Sequence, residues 1–266
     1  MRRVVLADGG DLAEWRAAAR TLLAARVPPP QVQWACGMQG DLLETLADPL
    51  EPAAGNAAAA CAGPMPDVRV PREFLALAEL VLAHADPHRH ALLYRLLWRL
   101  LLGERTLLGF VTDPDVAWAR AAASAVRRER HKMKAFVRFR QVEGEDNAYI
   151  AWFEPDHYIV DRVAPFFMRR FAGMRWAILT PYRSMQWDGE HLWAGEGAQR
   201  SDAPADDAEE ALWRTYYANI FNPARLNTRM MRQEMPQKYW KHLPETHLLP
   251  DLVREALLHL TDGQVA

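Results

Sequence analysis

Apolar residues recur along this chain in two different periods, and the switches between them mark its elements. RRVVLA (2–7) reads as a strand. In DLAEWRAAARTLLAARV (11–27), Leu12, Trp15, Ala19, Leu22 and Leu23 fall on one helical stripe, and Asp11 is placed to cap it. Pro28, Pro29 and Pro30 stop that helix, and QVQWACG (31–37) reads as a second strand. Residues 48–72 lose all period. They are rich in Ala, Pro and Gly, the composition of a linker or long loop.

From Phe74 to about Met133 the period is helical. EFLALAELVLAHA is one helix. HRHALLYRLLWRLLLGE is a second, with Leu92, Leu93, Leu96, Leu97 and Leu100 on its buried side. DVAWARAAASAVRRERHKM is a third, with Val116, Trp118, Ala122, Ala125, Val126 and Met133 on its apolar face. The period then falls to two. KAFVRFRQV (134–142) places Ala135, Val137 and Phe139 on one face of a strand, and AYIAWFE (148–154) returns as its hairpin partner across the turn GEDN. HYIVDRVAPFFMRRFAG is a helix that tolerates Pro165 only near its first turn or at a kink. MRWAILT (174–180) and the QWDG region (186–194) form a second hairpin. DDAEEALWRTYYANIF, ARLNTRMMRQEM and LPDLVREALLHL close the chain as helices.

This order predicts an α+β fold. Its antiparallel sheet of two hairpins packs with several helices, and a small strand-helix-strand unit precedes it. The expected organisation is a small N-terminal α/β unit at 1–47, a linker or loop at 48–72 and a main α+β domain at 73–266.

Composition narrows the class. Half of the 266 residues are hydrophobic and a quarter are charged, as in ordinary folded proteins. Cys36 and Cys61 are too few for a disulfide framework and suit a reducing cytoplasm, the expected location. The apolar run Ala91–Gly103 is broken by Arg95 and Arg99, so no membrane partner is expected. No P-loop, GxGxxG, GxSxG, HExxH or CxxC occurs, so no cofactor is expected.

The net charge of −2 hides strong local differences. Residues 127–183 carry 12 Lys/Arg against 7 Asp/Glu, and 214–241 carry 6 against 1. The segment between them, 188–210, carries 8 acids against one arginine. Within RRERHKMKAFVRF, Arg127, His131 and Lys134 stand at i, i+4 and i+7 of a helix. Arg127, Arg128, Arg130, Lys132, Lys134, Arg138 and Arg140 form the expected phosphate-binding set, assisted by Arg169, Arg170, Arg225, Arg229 and Lys238. Tyr239 and Trp240, between lysines, add the aromatic faces that hold stacked bases of single-stranded nucleic acid. A solvated helix face is the competing reading.

Candidate acid–base chemistry is sparse. His131, Glu154, Asp156 and His157 would form a catalytic set if they converged. Glu154, Asp156 and His157 also offer metal-ligating side chains, but their spacing matches no established ligand pattern. A turn is the simpler reading, with Asp156 capping the next helix and Pro155 setting its start. His84, His88 and His90 in HADPHRH make a weak metal site, because Asp86-Pro87 interrupts the helix between them.

Several long stretches resemble one family: VPREFLALAELVL, ALLYRLLWRLLLGE, AVRRERHKMKAFVRFRQV, AWFEPDHYIVDRVAPFFMRRFAGMRWAILTPYRS and LWRTYYANIFNPARLNTRMMRQEMPQKYWKHLPE. They are similar to a domain of unknown function found in bacteria in front of UdgX-type uracil-DNA glycosylases. Shorter forms of it are encoded beside a radical-SAM protein of DNA modification or repair. The resemblance covers about residues 70–250. It implies a DNA-repair setting, with single-stranded or damaged DNA and a UdgX-type glycosylase or radical-SAM protein as partners. It implies no reaction for these residues. An enzyme acting on damaged DNA through the His/carboxylate set, and a protein-interaction scaffold, are the alternatives.

Overall fold

The structure is a computed structural model that describes residues 1–37, 70–142, 144–203 and 239–240. The chain separates into two units, Met1–Glu129 with Asp156–Tyr158, and Arg130–Pro155 with Ile159–Ala266. The fold is α+β.

The first unit begins with a strand-helix-strand. β1 (Arg2–Leu6) and β2 (Val32–Cys36) pair in parallel, Arg2 opposite Val32 and Leu6 opposite Cys36. α1 (Leu12–Ala24) connects them, capped by Asp11, whose carboxylate accepts from the Ala13 amide at 2.7 Å. The helix ends before the prolines, because Arg26 takes the left-handed conformation at φ 53°. α2 (Arg72–Leu82) and α3 (Arg89–Leu101) join the same core. Trp15, Phe74, Leu93, Tyr94 and Leu96 are each at most 1% exposed. The expected leucine stripe of α3 is buried. Two of its three arginines reach acids at the surface: Arg95 grips Asp115 through Nε and Nη2 at 2.8 and 2.6 Å, and Arg99 bonds Asp113 and Glu104. That bond to Arg99 holds the Asp113 carboxyl below its usual range. Asp113 also accepts the amides of Asp115 and Val116 and so caps α4 (Pro114–Phe136), with proline at its first position.

The second unit holds a five-stranded sheet in the order β3 (Arg140–Gln141), β4 (Ala148–Trp152), β5 (Arg175–Leu179), β6 (Arg183–Trp187), β7 (Leu192–Glu196). Its detail departs from two separate hairpins. β4 and β5 are parallel, joined through the crossover helix α5 (Val160–Arg170), while the other pairs are antiparallel. The expected strand at 134–142 shrinks to two residues, because α4 runs on through Phe136. Met133 and Val137 are both buried, and the Val137 amide donates to the Met133 carbonyl at 3.0 Å, the i to i−4 bond of a helix that a strand does not make. Pro165 sits inside α5. The 188–191 turn links β6 to β7, a strand additional to the expected two hairpins. Phe139, Phe167, Phe171 and Trp176 pack edge-on and tilted around the sheet. The helices expected after residue 205, and residues 48–69 of the linker expected at 48–72, lie outside the described residues, while Arg72 at the end of that linker already opens α2.

α5 starts without a side-chain cap of its own. Instead the phenolic oxygen of Tyr182, from the β5–β6 connection, accepts the amides of Ile159 and Val160 at 2.7 and 2.8 Å. Burial pushes the Tyr182 pKa up, so the group stays a neutral phenol. Tyr182→Phe removes this acceptor from two amides of the helix start, and the expected loss is about 1–3 kcal/mol. Urea unfolding of the variant measures it, and a loss within error would show that water replaces the hydroxyl.

Candidate nucleic-acid interface

α4 carries the basic run on one side and its packing on the other. Ala122, Val126, Glu129 and Met133 are buried, at successive three- and four-residue steps. Arg127, Arg128, His131 and Lys134 are exposed. Arg127, His131 and Lys134 thus share a helix face, as their spacing predicts. Arg127 has no ion-pair partner among the described residues. Arg128 donates to the Ser124 hydroxyl at 2.8 Å. The Lys134 ammonium lies 4.9 Å from the Phe166 ring centre, and Phe166 stands on α5 one turn before the exposed Arg169 and Arg170.

Other members of the expected set have structural work. Arg138 Nη1 donates to the carbonyls of Ala135 and Val137 at 2.9 and 3.4 Å, closing the C-terminal end of α4. Arg130, Lys132 and Arg140 are partly buried. Tyr239 is 2% exposed, with Phe136 at 5.7 Å and Phe153 at 5.1 Å stacked against it. Those contacts make its ring a core element and leave no face for a base. Trp240 is partly buried. Arg225, Arg229 and Lys238 lie outside the described residues.

The four acid–base candidates divide between the units. His131 and Glu154 belong to the second, where His131 is exposed on α4 and Glu154 accepts from Trp152 Nε1 at 3.2 Å. Asp156 and His157 belong to the first, where their backbone amides donate to the Glu129 carboxylate at 2.8 and 2.9 Å. Asp156 caps no helix, since the helix that follows begins at Val160 behind Ile159. Among the described residues no three His, Cys, Asp or Glu side chains are grouped to hold a metal ion. Nor is any described helix long and apolar enough to cross a membrane.

Glu129 escaped the sequence reading because it sits within a cationic run. Its signal was position: it falls three residues after Val126 and four before Met133, on the apolar stripe. The site at the carboxyl ends of β1 and β2 was also missed. There Cys36 Sγ lies 3.8 Å from both ring nitrogens of His90, and His90 Nε2 donates to the Gly9 carbonyl at 2.7 Å. Burial raises the Cys36 pKa, so the thiol stays protonated. A side chain at Gly9 would meet Cys36 Sγ at 2.5 Å and Arg89 Nη2 at 2.9 Å, so glycine is what admits this close approach.

Fold and site together define an α+β protein with a cationic helix face. The chain belongs to DUF4130, a family described as a domain of unknown function, whose model matches residues 87–245. No curated protein and no solved structure matches it significantly.

Proposed function

We propose that this protein is a DNA-repair accessory module that grips the phosphate backbone of single-stranded or damaged DNA through the exposed cations of α4. It works with a separate partner, a UdgX-type uracil-DNA glycosylase or a radical-SAM protein. The observation that carries this reading is the single-sided exposure of Arg127, Arg128, His131 and Lys134, opposite the buried Val126, Glu129 and Met133. Arg127 and Lys134 are seven residues apart, or about 10 Å along the helix axis. That matches the rise of about three nucleotides of one strand at ~3.4 Å each. Arg169 and Arg170 extend positive charge from α5. DNA repair as the setting, and the partner, rest on the family resemblance.

Labelled single- and double-stranded oligonucleotides, with and without uracil, test it across a salt series. Affinity should fall steeply with salt. Each phosphate neutralised on a single strand adds roughly 0.7 to the log–log slope, so Arg127→Ala/Arg128→Ala/Lys134→Ala should lower it by about 2. Circular dichroism of the variant controls for folding. No binding by the wild type at low salt, or an unchanged slope in a folded variant, overturns the proposal.

A further inference from the structure

The turn after α2 and the stretch Asp156–Tyr158 meet inside the first unit. The rings of His84 and His157 lie against each other, centroids 4.4 Å apart and planes 32° from parallel. Trp118 of α4 packs edge-on against His84 at 5.3 Å. Each imidazole uses Nδ1 as an acceptor. His84 Nδ1 takes the Asp86 amide at 3.1 Å, and His157 Nδ1 takes the Ala85 amide at 3.3 Å. A backbone N–H only donates, so both Nδ1 atoms are unprotonated and both rings are neutral Nε2–H tautomers. The Tyr158 amide donates to the Ala83 carbonyl at 2.8 Å, and Glu129 holds the two amides before it.

We propose that this histidine pair is a proton-sensitive clasp: neutral rings hold segment 156–158 on the end of α2, and protonation releases it. A proton on Nδ1 of His157 would set an N–H against the Ala85 N–H, donor facing donor. Two imidazolium rings stacked this closely would also repel. The charges around the pair act in both directions. Asp86 from the turn and Glu129 from α4 favour a charged ring. Arg89 from α3, whose guanidinium lies 5.0 Å from the Tyr158 ring centre, opposes it. For His84, burial and then His157 prevail, and its pKa is lowered. The docked form is therefore favoured above the free imidazole value of about 6.5 and weakens as pH falls below it.

Nitrogen-15 NMR of the imidazoles reads the tautomers directly. At neutral pH both rings should carry their proton on Nε2, and a proton on Nδ1 of either ring overturns the proposal. Amide hydrogen exchange reads the release. After correction for intrinsic rates, protection of Ala85, Asp156 and His157 should fall at least about tenfold between pH 7.5 and 5, equivalent to one pKa unit of differential binding. Unchanged protection across that range overturns the clasp. His84→Gln/His157→Gln keeps a side-chain acceptor without a titrating ring and should abolish the pH dependence, whereas a variant with the same transition overturns it. If the double variant does not fold, the wild-type tautomers and exchange still decide.

Discussion

Acidification from about pH 7.5 to pH 4 will cost the protein about 3 kcal/mol of stability through His90. The ring is 1% exposed, and its Nε2–H donates to the Gly9 carbonyl. Trp34 stacks on it at 6.1 Å. Burial, then the neighbouring Arg89 charge, push its pKa down to about 4. The unfolded chain has no such environment, and its imidazole titrates near 6.5. The folded value lies below the unfolded one, so between them the unfolded chain binds a proton that the folded chain refuses. Stability is whole above about pH 6.5 and declines as pH drops toward 4. About 2.5 units at roughly 1.4 kcal/mol each is about 3.5 kcal/mol, and because the folded ring is itself half protonated at pH 4 about 3 kcal/mol of that is lost there. Urea unfolding across pH measures it. His90→Gln can still offer an amide N–H to Gly9 but does not titrate, so its stability should fall by about 3 kcal/mol less over the same range. Parallel losses in wild type and variant would show that His90 is not the group being charged.

His90 also shows where sequence reading stops. In HADPHRH it is one of three closely spaced histidines, and spacing offers it only as a metal ligand. Its environment comes from Gly9, Trp34 and Arg89, two of them more than fifty residues away in the chain. Local features were legible because local physics makes them. Asp11 caps α1, the leucines of α3 turn inward, and Arg127, His131 and Lys134 of α4 share a face. Partner direction was not legible. Alternation in 148–154 and 174–180 announces strands, but a strand looks the same whether its neighbour runs parallel or antiparallel. Only the crossover through α5 makes β4 and β5 parallel. At 134–142, Ala135, Val137 and Phe139 satisfy a period of two while Met133 and Val137 satisfy a helical step. Tertiary packing chose the helix through Phe136. Tyr239 between two lysines resembled a stacking platform until Phe136 and Phe153 closed on its faces.

Glu129→Ala will be the most damaging single change on α4, by about 3–5 kcal/mol. The residue is 6% exposed, and its two carboxylate oxygens receive the amides of Asp156 and His157. Bonds to a charged acceptor are each worth about 1.5–3 kcal/mol, and alanine leaves both donors without this partner. Glu129→Gln retains one acceptor oxygen but turns an NH2 group toward the second amide, so about half the loss should remain. Unfolding of both variants gives the totals, and exchange of the Asp156 and His157 amides locates the effect. A cost below about 1 kcal/mol for alanine would mean that other groups satisfy those amides. The pair of variants also separates structure from charge in the proposed DNA interaction. Glu129→Gln makes α4 more positive by one charge, but on the side opposite Arg127 and Lys134. If phosphates bind the exposed face, the salt slope should stay within about 0.7 of the wild-type value, whereas Arg127→Ala/Arg128→Ala/Lys134→Ala lowers it by more. An equal fall in slope for Glu129→Gln would mean that the docked segment 156–158, rather than the exposed cations, determines how DNA is held.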